Sequence, residues 1–292
     1  MHFSKISIFC FLIFLTACAQ NSQAPDSRLT GQDVVDRIQQ QVSGKWKETT
    51  VDTFKEGDPN QAVTGIATTF LATLDVLKQA KAKGLNLIIT HEPTYYNHLD
   101  NVEDFIDDPV YEAKKKFIQD NQLMVFRFHD HWHRTRPDGI HTGIVKDLDW
   151  EKHQLDDDVL IFRFPQTKTL GTMARELAQH YQTSAIRVVG DADNEFQTYG
   201  LVVGAPGSGA QIDMLRQAGV EVLIIGETHE WETVEYMRDA LSEGQKKGLI
   251  ILGHANSEEA GMAYCAEWMK GFVSEVPVVF IAAGDPFWTP EF

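Results

Sequence analysis

An α/β fold built from two halves with mixed sheets is predicted by three features of this sequence. Short apolar runs, such as residues 85–90 and 220–226, have the nearly continuous hydrophobicity of strands that are buried on both faces. Segments with a helical hydrophobic period, such as residues 74–83, alternate with these runs. The 292 residues contain no tandem repeat or heptad run. Helices that alternate with buried strands are typical of α/β proteins.

The front half begins with a helix and continues as strand, helix and strand. Thr30 and Asp33 precede an amphipathic stretch and predict a helix with a capped start. Gly84 is predicted to end the second helix, because glycine tolerates the backbone found after a helix end. The predicted helices are residues 30–42, 74–83 and 109–121, and the predicted strands are residues 63–70, 85–90 and 123–128.

The rear half follows an acidic stretch, residues 147–158, which is predicted to be a loop. Its predicted strands are residues 159–164, 185–189, 199–204, 220–226, 249–253 and 276–282, and its predicted helices are residues 170–181, 211–218, 230–243 and 258–270. The boundary is predicted between residues 150 and 169, so that the halves are residues 30–155 and 156–292.

The amino terminus predicts an exported lipoprotein. Lys5 precedes an apolar run, residues 6–15, that is too short for a mature membrane span and fits a signal-peptide core. Residues 15–18 resemble a lipobox, so residues 1–17 are predicted to be cleaved and Cys18 to carry lipid. Residues 18–29 would then tether the domain to a bacterial membrane, facing the periplasm or the cell exterior. The alternative is an ordinary cleaved signal in which Cys18 is incidental.

Charge and cysteine content make two classes of protein poor candidates. The formal net charge is −16, so the chain would repel a phosphate backbone, and nucleic-acid binding is not expected. Of the three cysteines, only Cys265 lies within the predicted domain. The mature domain is therefore expected to contain no internal disulfide, unlike small disulfide-stabilised secreted domains.

Histidines and carboxylates follow four of the predicted strands directly. These residues are His91 and Glu92, the run 129–133 (His-Asp-His-Trp-His), Glu227 and His229, and His254 with Glu258. Function in open α/β sheets gathers at the carboxyl ends of strands. We therefore expect a site at these strand ends, between the two halves.

The mixture of imidazole and carboxylate groups suits Zn, Mn, Fe or a similar divalent ion. A carboxylate can also bridge two such ions, which together hold and activate one water. Asn256 or Ser257 is predicted to cap helix 258–270, which would place Glu258 near His254. The alternatives are that Glu258 only favours the helix dipole, and that residues 129–133 form a surface histidine cluster.

These motifs resemble the NGG-interacting-factor-three-like family, also described as GTP cyclohydrolase type-two-like proteins. Residues 63–66 and 74–91 resemble the strand–helix–strand that leads into the family's His-His-Pro motif, and residues 201–226 with 253–258 resemble its closing metal motif. The resemblance implies a dinuclear metal centre in which His254 and Glu258 are ligands and Glu258 bridges the ions. It also implies a ring-shaped homo-oligomer, commonly a hexamer.

Two positions depart from the family's pattern. Glu92 replaces the second histidine of the His-His-Pro motif. Family members also have a His that is followed, four residues later, by an Asp ligand. In this chain the residue four positions after His129 is His133, and Asp130 lies close by in the sequence. One exchange adds a carboxylate and the other an imidazole, so the number of donors and the approximate ligand charge are kept. We interpret this as a variant centre, and loss of one metal is the alternative.

The function predicted on this basis is that of a metal-dependent hydrolase with two divalent ions and an unknown small-molecule substrate. The predicted ligands are His91, Glu92, Asp130 or His133, His254 and Glu258. Glu227 and His229 are predicted to support the ligands or to act as a general base. The competing prediction is a non-catalytic metal-binding or assembly protein. GTP is a weak candidate substrate for an exported protein, because it is a cytoplasmic nucleotide.

Overall fold

The computed structural model describes residues 28–156 and 159–290. The predicted signal peptide, Cys18 and most of the predicted tether lie outside these ranges, so those assignments stay predictions. Within the described ranges, no helix is long and apolar enough to cross a membrane.

Eleven strands within the described ranges form two mixed sheets, and this confirms the predicted α/β fold. In chain order they are β1 (Phe54–Glu56), β2 (Ile66–Thr69), β3 (Leu87–Thr90), β4 (Met124–Arg127), β5 (Gln154–Asp156), β6 (Val159–Thr169), β7 (Arg187–Val189), β8 (Glu195–Val202), β9 (Val222–Ile225), β10 (Gly248–Ile251) and β11 (Val278–Phe280). The first sheet has the order β1-β4-β3-β2-β11 and the second has β5-β6-β8-β9-β10-β7.

Parallel pairing at the centre of each sheet brings several strand ends to one edge. In the first sheet β4, β3, β2 and β11 are parallel, and β1 is antiparallel. In the second sheet β8, β9 and β10 are parallel, and β5, β6 and β7 are added by antiparallel pairs. Every residue of β2, β3, β4, β9 and β10 is buried, as expected for nearly continuous apolar runs.

Nine α-helices within the described ranges cover the sheets. They are α1 (Gly31–Gln41), α2 (Leu74–Ala82), α3 (Pro109–Asp120), α4 (Asp130–Arg134), α5 (Gly139–Asp147), α6 (Leu170–His180), α7 (Ser208–Arg216), α8 (Glu235–Ser242) and α9 (His254–Lys270). The predicted cap of α1 is confirmed, because Thr30 and Asp33 exchange backbone-to-side-chain hydrogen bonds of 2.9 and 3.1 Å. The sequence does not predict α4, β1 or β5, which have five residues or fewer, nor α5, in which Gly139 and Gly143 disfavour a helix. The predicted loop 147–158 is therefore wrong where β5 forms.

Helix α9 begins at His254, so the predicted start at Glu258 and the predicted cap at Asn256 or Ser257 are wrong. Gly253 precedes the helix with φ 93°, a conformation that favours glycine, and the chain turns directly from β10 into α9. The buried Ser257 hydroxyl instead donates to the His254 carbonyl at 2.8 Å. His254 and Glu258 therefore lie one turn apart on the same helix face.

The end of the chain returns to the first sheet. β11 pairs with β2, and α9 packs over β2, where the Thr68 hydroxyl donates to the Met262 carbonyl at 2.8 Å. A Cβ at Gly143 of α5 would lie 2.4 Å from the Gly261 Cα of α9, so glycine allows these helices to approach closely. One hydrophobic cluster includes residues of both sheets. Helix α9 is thereby held against the strand ends of the front half.

Candidate metal centre

His91 follows β3 directly and is fully buried. Its Nδ1 lies 3.2 Å from the carbonyl oxygen of Phe128, a contact in which Nδ1 carries the proton and donates. The other ring nitrogen, Nε2, is buried and has no hydrogen-bond partner among the described residues. This Nε2 lies 3.4 Å from Oε2 of Glu258. A cation between the two groups would satisfy both of them.

His129 belongs to the cluster, although the predicted ligand set did not include it. Its ring stacks on His91 with centroids 4.6 Å apart. Its Nδ1 lies 3.0 Å from Oδ1 of Asp130, and its Nε2 lies 3.7 Å from Oε1 of Glu92. The signal that could have identified this residue is its position as the first residue after the predicted strand 123–128.

His133, and not Asp130, faces the cluster. The Nδ1 of His133 lies 3.1 Å from Oδ2 of Asp138, and its Nε2 lies 4.0 Å from Oε1 of Glu258. Asp130 is turned towards a neighbouring loop, where its Oδ2 accepts hydrogen bonds from the Thr50 hydroxyl at 2.8 Å and a backbone N–H at 3.2 Å. The geometry therefore favours His133 as the donor at this position, with Asp130 supporting His129.

The third histidine of the run, His131, has both ring nitrogens occupied away from the cluster. Its Nδ1 lies 2.7 Å from Oδ2 of Asp52, and its Nε2 accepts the backbone N–H of Lys47 at 2.9 Å. The ring also stacks on Trp46 with centroids 3.7 Å apart. These contacts give His131 a role in holding α4, and they leave no ring nitrogen for a metal.

Helix α9 contributes His254 and Glu258 from the other side. The Nε2 of His254 lies 3.1 Å from Oε2 of Glu258, and its Nδ1 lies 3.1 Å from Oε2 of Glu227. Glu258 is buried, and Gly204 leaves the space for its carboxylate. A Cβ at Gly204 would lie 2.1 Å from Oε1 of Glu258, and Gly204 has φ 65°. Glycine at this position is therefore required by space and by backbone conformation together.

Glu92, which departs from the family's pattern, joins the cluster and is held by a buried arginine. Its Oε1 lies 3.5 Å from Nε2 of His254, and its Oε2 lies 3.4 Å from the guanidinium of Arg127. Arg127 is fully buried at the end of β4, and its Nε donates to the carbonyl of His91 at 3.1 Å. The guanidinium compensates the charge that a carboxylate adds to this buried position.

The predicted supporting residues Glu227 and His229 lie in different surroundings. Glu227 is within hydrogen-bond distance of His254 and lines the same cleft as the cluster. His229 is exposed, and its Nδ1 lies 3.2 Å from Oε2 of Glu232 while its ring stacks on Trp231. The structure thus brings Glu227 to the cluster and leaves His229 outside the cleft lining.

Two overlapping groups of residues have the spacing that a metal ion needs. One is His91, His129 and His133, and the other is His91, Glu92 and Glu258; within each group the ligand atoms lie within 4.8 Å of one another. Imidazole nitrogens and carboxylate oxygens are suitable donors for Zn and other transition ions. The residues present therefore fit a divalent metal.

Burial and neighbouring charges shift the pKa values in this cluster in opposite directions. Burial raises the pKa of Glu258, but the contacts with His254 and His91 outweigh it and hold that pKa well below its ordinary value. Burial also raises the pKa of Glu92, which the contact with His254 lowers to about 2. Burial lowers the pKa of His254, but Glu258 and Glu92 raise it to about 10. Both carboxylates are therefore anionic at neutral pH and attract cations.

The cluster lies on the wall of a cleft of about 1630 Å³ between the two sheets. Apolar side chains line much of this cleft, among them Phe70, Leu71, Leu160, Met214 and Phe287. Two long cationic side chains, Lys114 and Arg187, also belong to the lining. The cleft is large enough for a small-molecule ligand and combines an apolar wall with a few polar groups, as binding sites commonly do.

Comparison with known proteins identifies relatives of this chain. The GTP cyclohydrolase 1 type 2 homolog of Clostridium acetobutylicum is 22% identical over 233 residues, which cover 76% of this chain and 82% of that protein. The structure of a Bacillus cereus protein related to NIF3 is similar with a TM-score of 0.69 at 13% identity, over 90% of this chain and 99% of that one. Staphylococcus aureus protein SA1388 gives a TM-score of 0.68 at 14% identity, over the same shares of the two chains.

These structural similarities establish a common fold, since the identities are low. The family assignment comes from a match between residues 33–286 and the model of the Duf34/NIF3 (NGG1p interacting factor 3) family. The match extends through both sheets and includes every residue of the cluster. The chain therefore belongs to the Duf34/NIF3 family.

Proposed function

We propose that the cluster binds two divalent metal ions, Zn, Mn or Fe, and that the protein is a metal-dependent hydrolase. The main support is a geometry that four imidazoles share. In each ring an oxygen atom lies near Nδ1, and Nε2 is directed towards Glu92 or Glu258. The four rings are those of His91, His129, His133 and His254. Outer oxygen atoms commonly fix the tautomer and orientation of metal-binding histidines in this way.

The two oxygens of Glu258 support a bridging role for this residue. Oε2 lies 3.4 Å from Nε2 of His91 and 3.1 Å from Nε2 of His254. Oε1 lies on the side of His133, 4.0 Å from its Nε2. In the proposed centre Glu258 would therefore serve both ions, His91, His129 and His133 would provide the imidazoles of one group, and Glu92 and His254 would lie beside Glu258.

The residues around the ligands have separable roles in the proposed reaction. Two bound divalent ions would polarise a substrate and lower the pKa of a water molecule. Glu227 holds His254 through Nδ1, and its exposed carboxylate also lines the cleft, so it can accept a proton there as a general base. Arg127 contacts Oε2 of Glu92 at 3.4 Å and so helps to orient Oε1 towards the cluster.

Metal analysis followed by a substrate screen tests this proposal. Protein purified without chelator should hold up to two divalent ions per chain and should hydrolyse a phosphoester or an amide. Glu258→Gln should lower the metal content most, because one neutral amide would replace the carboxylate between both ions. Glu267→Gln is the matched control, since Glu267 is an exposed residue of the same helix that pairs with Lys270.

Two outcomes would contradict parts of the proposal. A folded protein without metal after incubation with Zn or Mn would refute the metal centre. A protein that holds metal but hydrolyses no member of the screen would be assigned instead to the class of non-catalytic metal-binding or assembly proteins. The cyclohydrolase name belongs to the Clostridium relative, and the substrate of this chain is left to the screen.

We also propose that the protein is exported and anchored by lipid at Cys18. The support is the sequence of residues 1–18, with Lys5, an apolar run and a lipobox-like end. Metabolic labelling with palmitate should tag the wild-type protein, and Cys18→Ser should abolish the tag. A wild-type protein that is exported without the label would refute the anchor.

A further inference from the structure

Lys114 is a buried lysine on the wall of the cleft, and the proposed reaction does not yet use it. The residue is 6% exposed and stands in the middle of α3. Its Nζ donates to the Thr94 carbonyl at 2.5 Å. No carboxylate oxygen of the described residues lies within ion-pair distance of this ammonium. Its partners are the Thr94 carbonyl and the rings of Tyr95 and Tyr96, whose centroids lie 5.7 Å from Nζ, and none of these carries a full negative charge.

Thr94 provides a second unsatisfied group at the same place. The residue is 1% exposed and lines the cleft two positions after Glu92. Its hydroxyl Oγ1 is buried and has no hydrogen-bond partner among the described residues. A buried hydroxyl without a partner is unfavourable, and a ligand oxygen in the cleft would satisfy it.

Asp100 is the carboxylate whose charge acts on Lys114, but it lies nearer to other cations. Asp100 lies 3.5 Å from Nζ of Lys55 and 3.6 Å from the guanidinium of Arg127, so it is shared by two other cations. Arg127 also pairs with Glu92. Lys55 and Arg127 thus lie within 4.0 Å of a described carboxylate, whereas Lys114 does not. Burial lowers the pKa of Lys114 to about 8, which still leaves most of the ammonium charged at neutral pH.

We propose that Lys114 and Thr94 form a subsite for an anionic group of the substrate, a phosphate or a carboxylate, in the cleft beside the metal centre. This inference rests on the proposed function and specifies the class of its substrate. The ammonium and the hydroxyl donate to the anion, while the apolar cleft wall contacts the rest of the molecule. Both residues line the same cleft as the proposed metal ligands, and Thr94 follows the ligand Glu92 by two positions.

Binding of three small probes to the metal-loaded mature chain tests the subsite. Phenyl phosphate and benzoate carry the two candidate anions, and benzyl alcohol is the neutral analogue. Lys114→Met should weaken binding of at least one anionic probe by roughly ten-fold or more, the usual effect of losing a charged hydrogen bond. Binding of benzyl alcohol and the metal content should stay unchanged. The probe that loses more affinity identifies phosphate or carboxylate as the preferred anion.

Two further variants make the result decisive. Lys115→Met is the matched control, because Lys115 is the next residue of α3 and its Nζ bonds the Tyr111 hydroxyl at 3.0 Å. Thr94→Val has nearly the same shape, removes an unpaired hydroxyl and should fold normally, and it should weaken the same probe several-fold. It decides the question if Lys114→Met does not fold.

Unchanged affinity in Thr94→Val and in a folded Lys114→Met, with metal content intact, would overturn the subsite. Equal losses in the Lys114 and Lys115 variants would overturn it too, since they would show a general effect of charge. If the native protein holds no metal, the same comparison on that protein tests the subsite separately from the metal centre.

Discussion

The substitution Gly204→Ala tests the metal centre without changing any proposed ligand. A Cβ at this position would lie 2.1 Å from Oε1 of Glu258, whereas Cβ contacts under 3.0 Å essentially never occur. The carboxylate must therefore move by about 1 Å. A donor–acceptor distance that lengthens by this much no longer corresponds to a hydrogen bond. Glu258 is buried, so its 3.1 Å contact with His254 cannot be replaced by one with water.

The alanine also introduces backbone strain, and a second glycine separates this effect from the contact with Glu258. Gly84 has φ 73°, close to the φ of 65° at Gly204, and a Cβ there would have no neighbour within 4 Å. Gly84→Ala should lower the free energy of unfolding by about 1–2 kcal/mol through left-handed strain alone. Gly204→Ala should cost a further ~1.5–3 kcal/mol, because hydrogen bonds to the Glu258 carboxylate are lost.

Metal affinity gives the sharper readout. Because a displaced Glu258 no longer faces both groups of ligands, Gly204→Ala should weaken metal binding by about 10–100-fold, the range observed when supporting groups of metal sites are changed. Gly84→Ala should leave it unchanged. Calorimetric titration with Zn or Mn and denaturant unfolding of the metal-free proteins give the two quantities. Equal metal affinities in the two folded variants would refute the assignment of Glu258 as the central ligand.

Three further predictions concern other parts of the molecule. Glu92→His and His133→Asp should each weaken metal binding or shift metal preference, and the double variant should recover much of the loss; calorimetric coupling of about 0.5–3 kcal/mol is expected, and additive effects would mean separate sites. Burial lowers the pKa of Lys114 to about 8 from 10.5, so the free energy of unfolding should rise by about 3 kcal/mol between these pH values. Lys114→Met should lack this rise, and equal pH profiles would contradict the shift. Light scattering of the mature chain should give a homo-oligomer, with the hexamer as the expected size, and a monomer at micromolar concentration would contradict this.

Much of the fold could be predicted because the information is local. Strands β2, β3, β4, β9 and β10 are buried on both faces, and such strands have nearly continuous apolar sequences that need no partner to be recognised. The order of strands and helices likewise determines a mixed α/β protein. Helix α4 has only five residues, and α5 contains Gly139 and Gly143, which disfavour an isolated helix, so these helices depend on tertiary contacts such as the close packing of α5 on α9.

The candidate site, like the fold, was predictable in part from local sequence and in part depends on contacts distant in sequence. His91, the run 129–133 and His254 follow apolar runs in the sequence, so their approach to a common sheet edge was predictable. Which side chains of that run face the cluster was decided by contacts distant in sequence, because Asp52 holds His131 away and Asp138 orients His133.

Long-range packing determines how the two halves of the chain form one cluster. Gly253 starts α9 at His254, and Gly204 leaves space for Glu258, so the carboxylate of a rear helix reaches a histidine of the front sheet. The pairing of β11 with β2 likewise joins the chain's end to its beginning. Hydrophobic periodicity reports which face of an element is buried, but the partner of a buried charge depends on long-range packing. The candidate donors could therefore be identified from the sequence, whereas the donors that face the cluster depend on the folded structure.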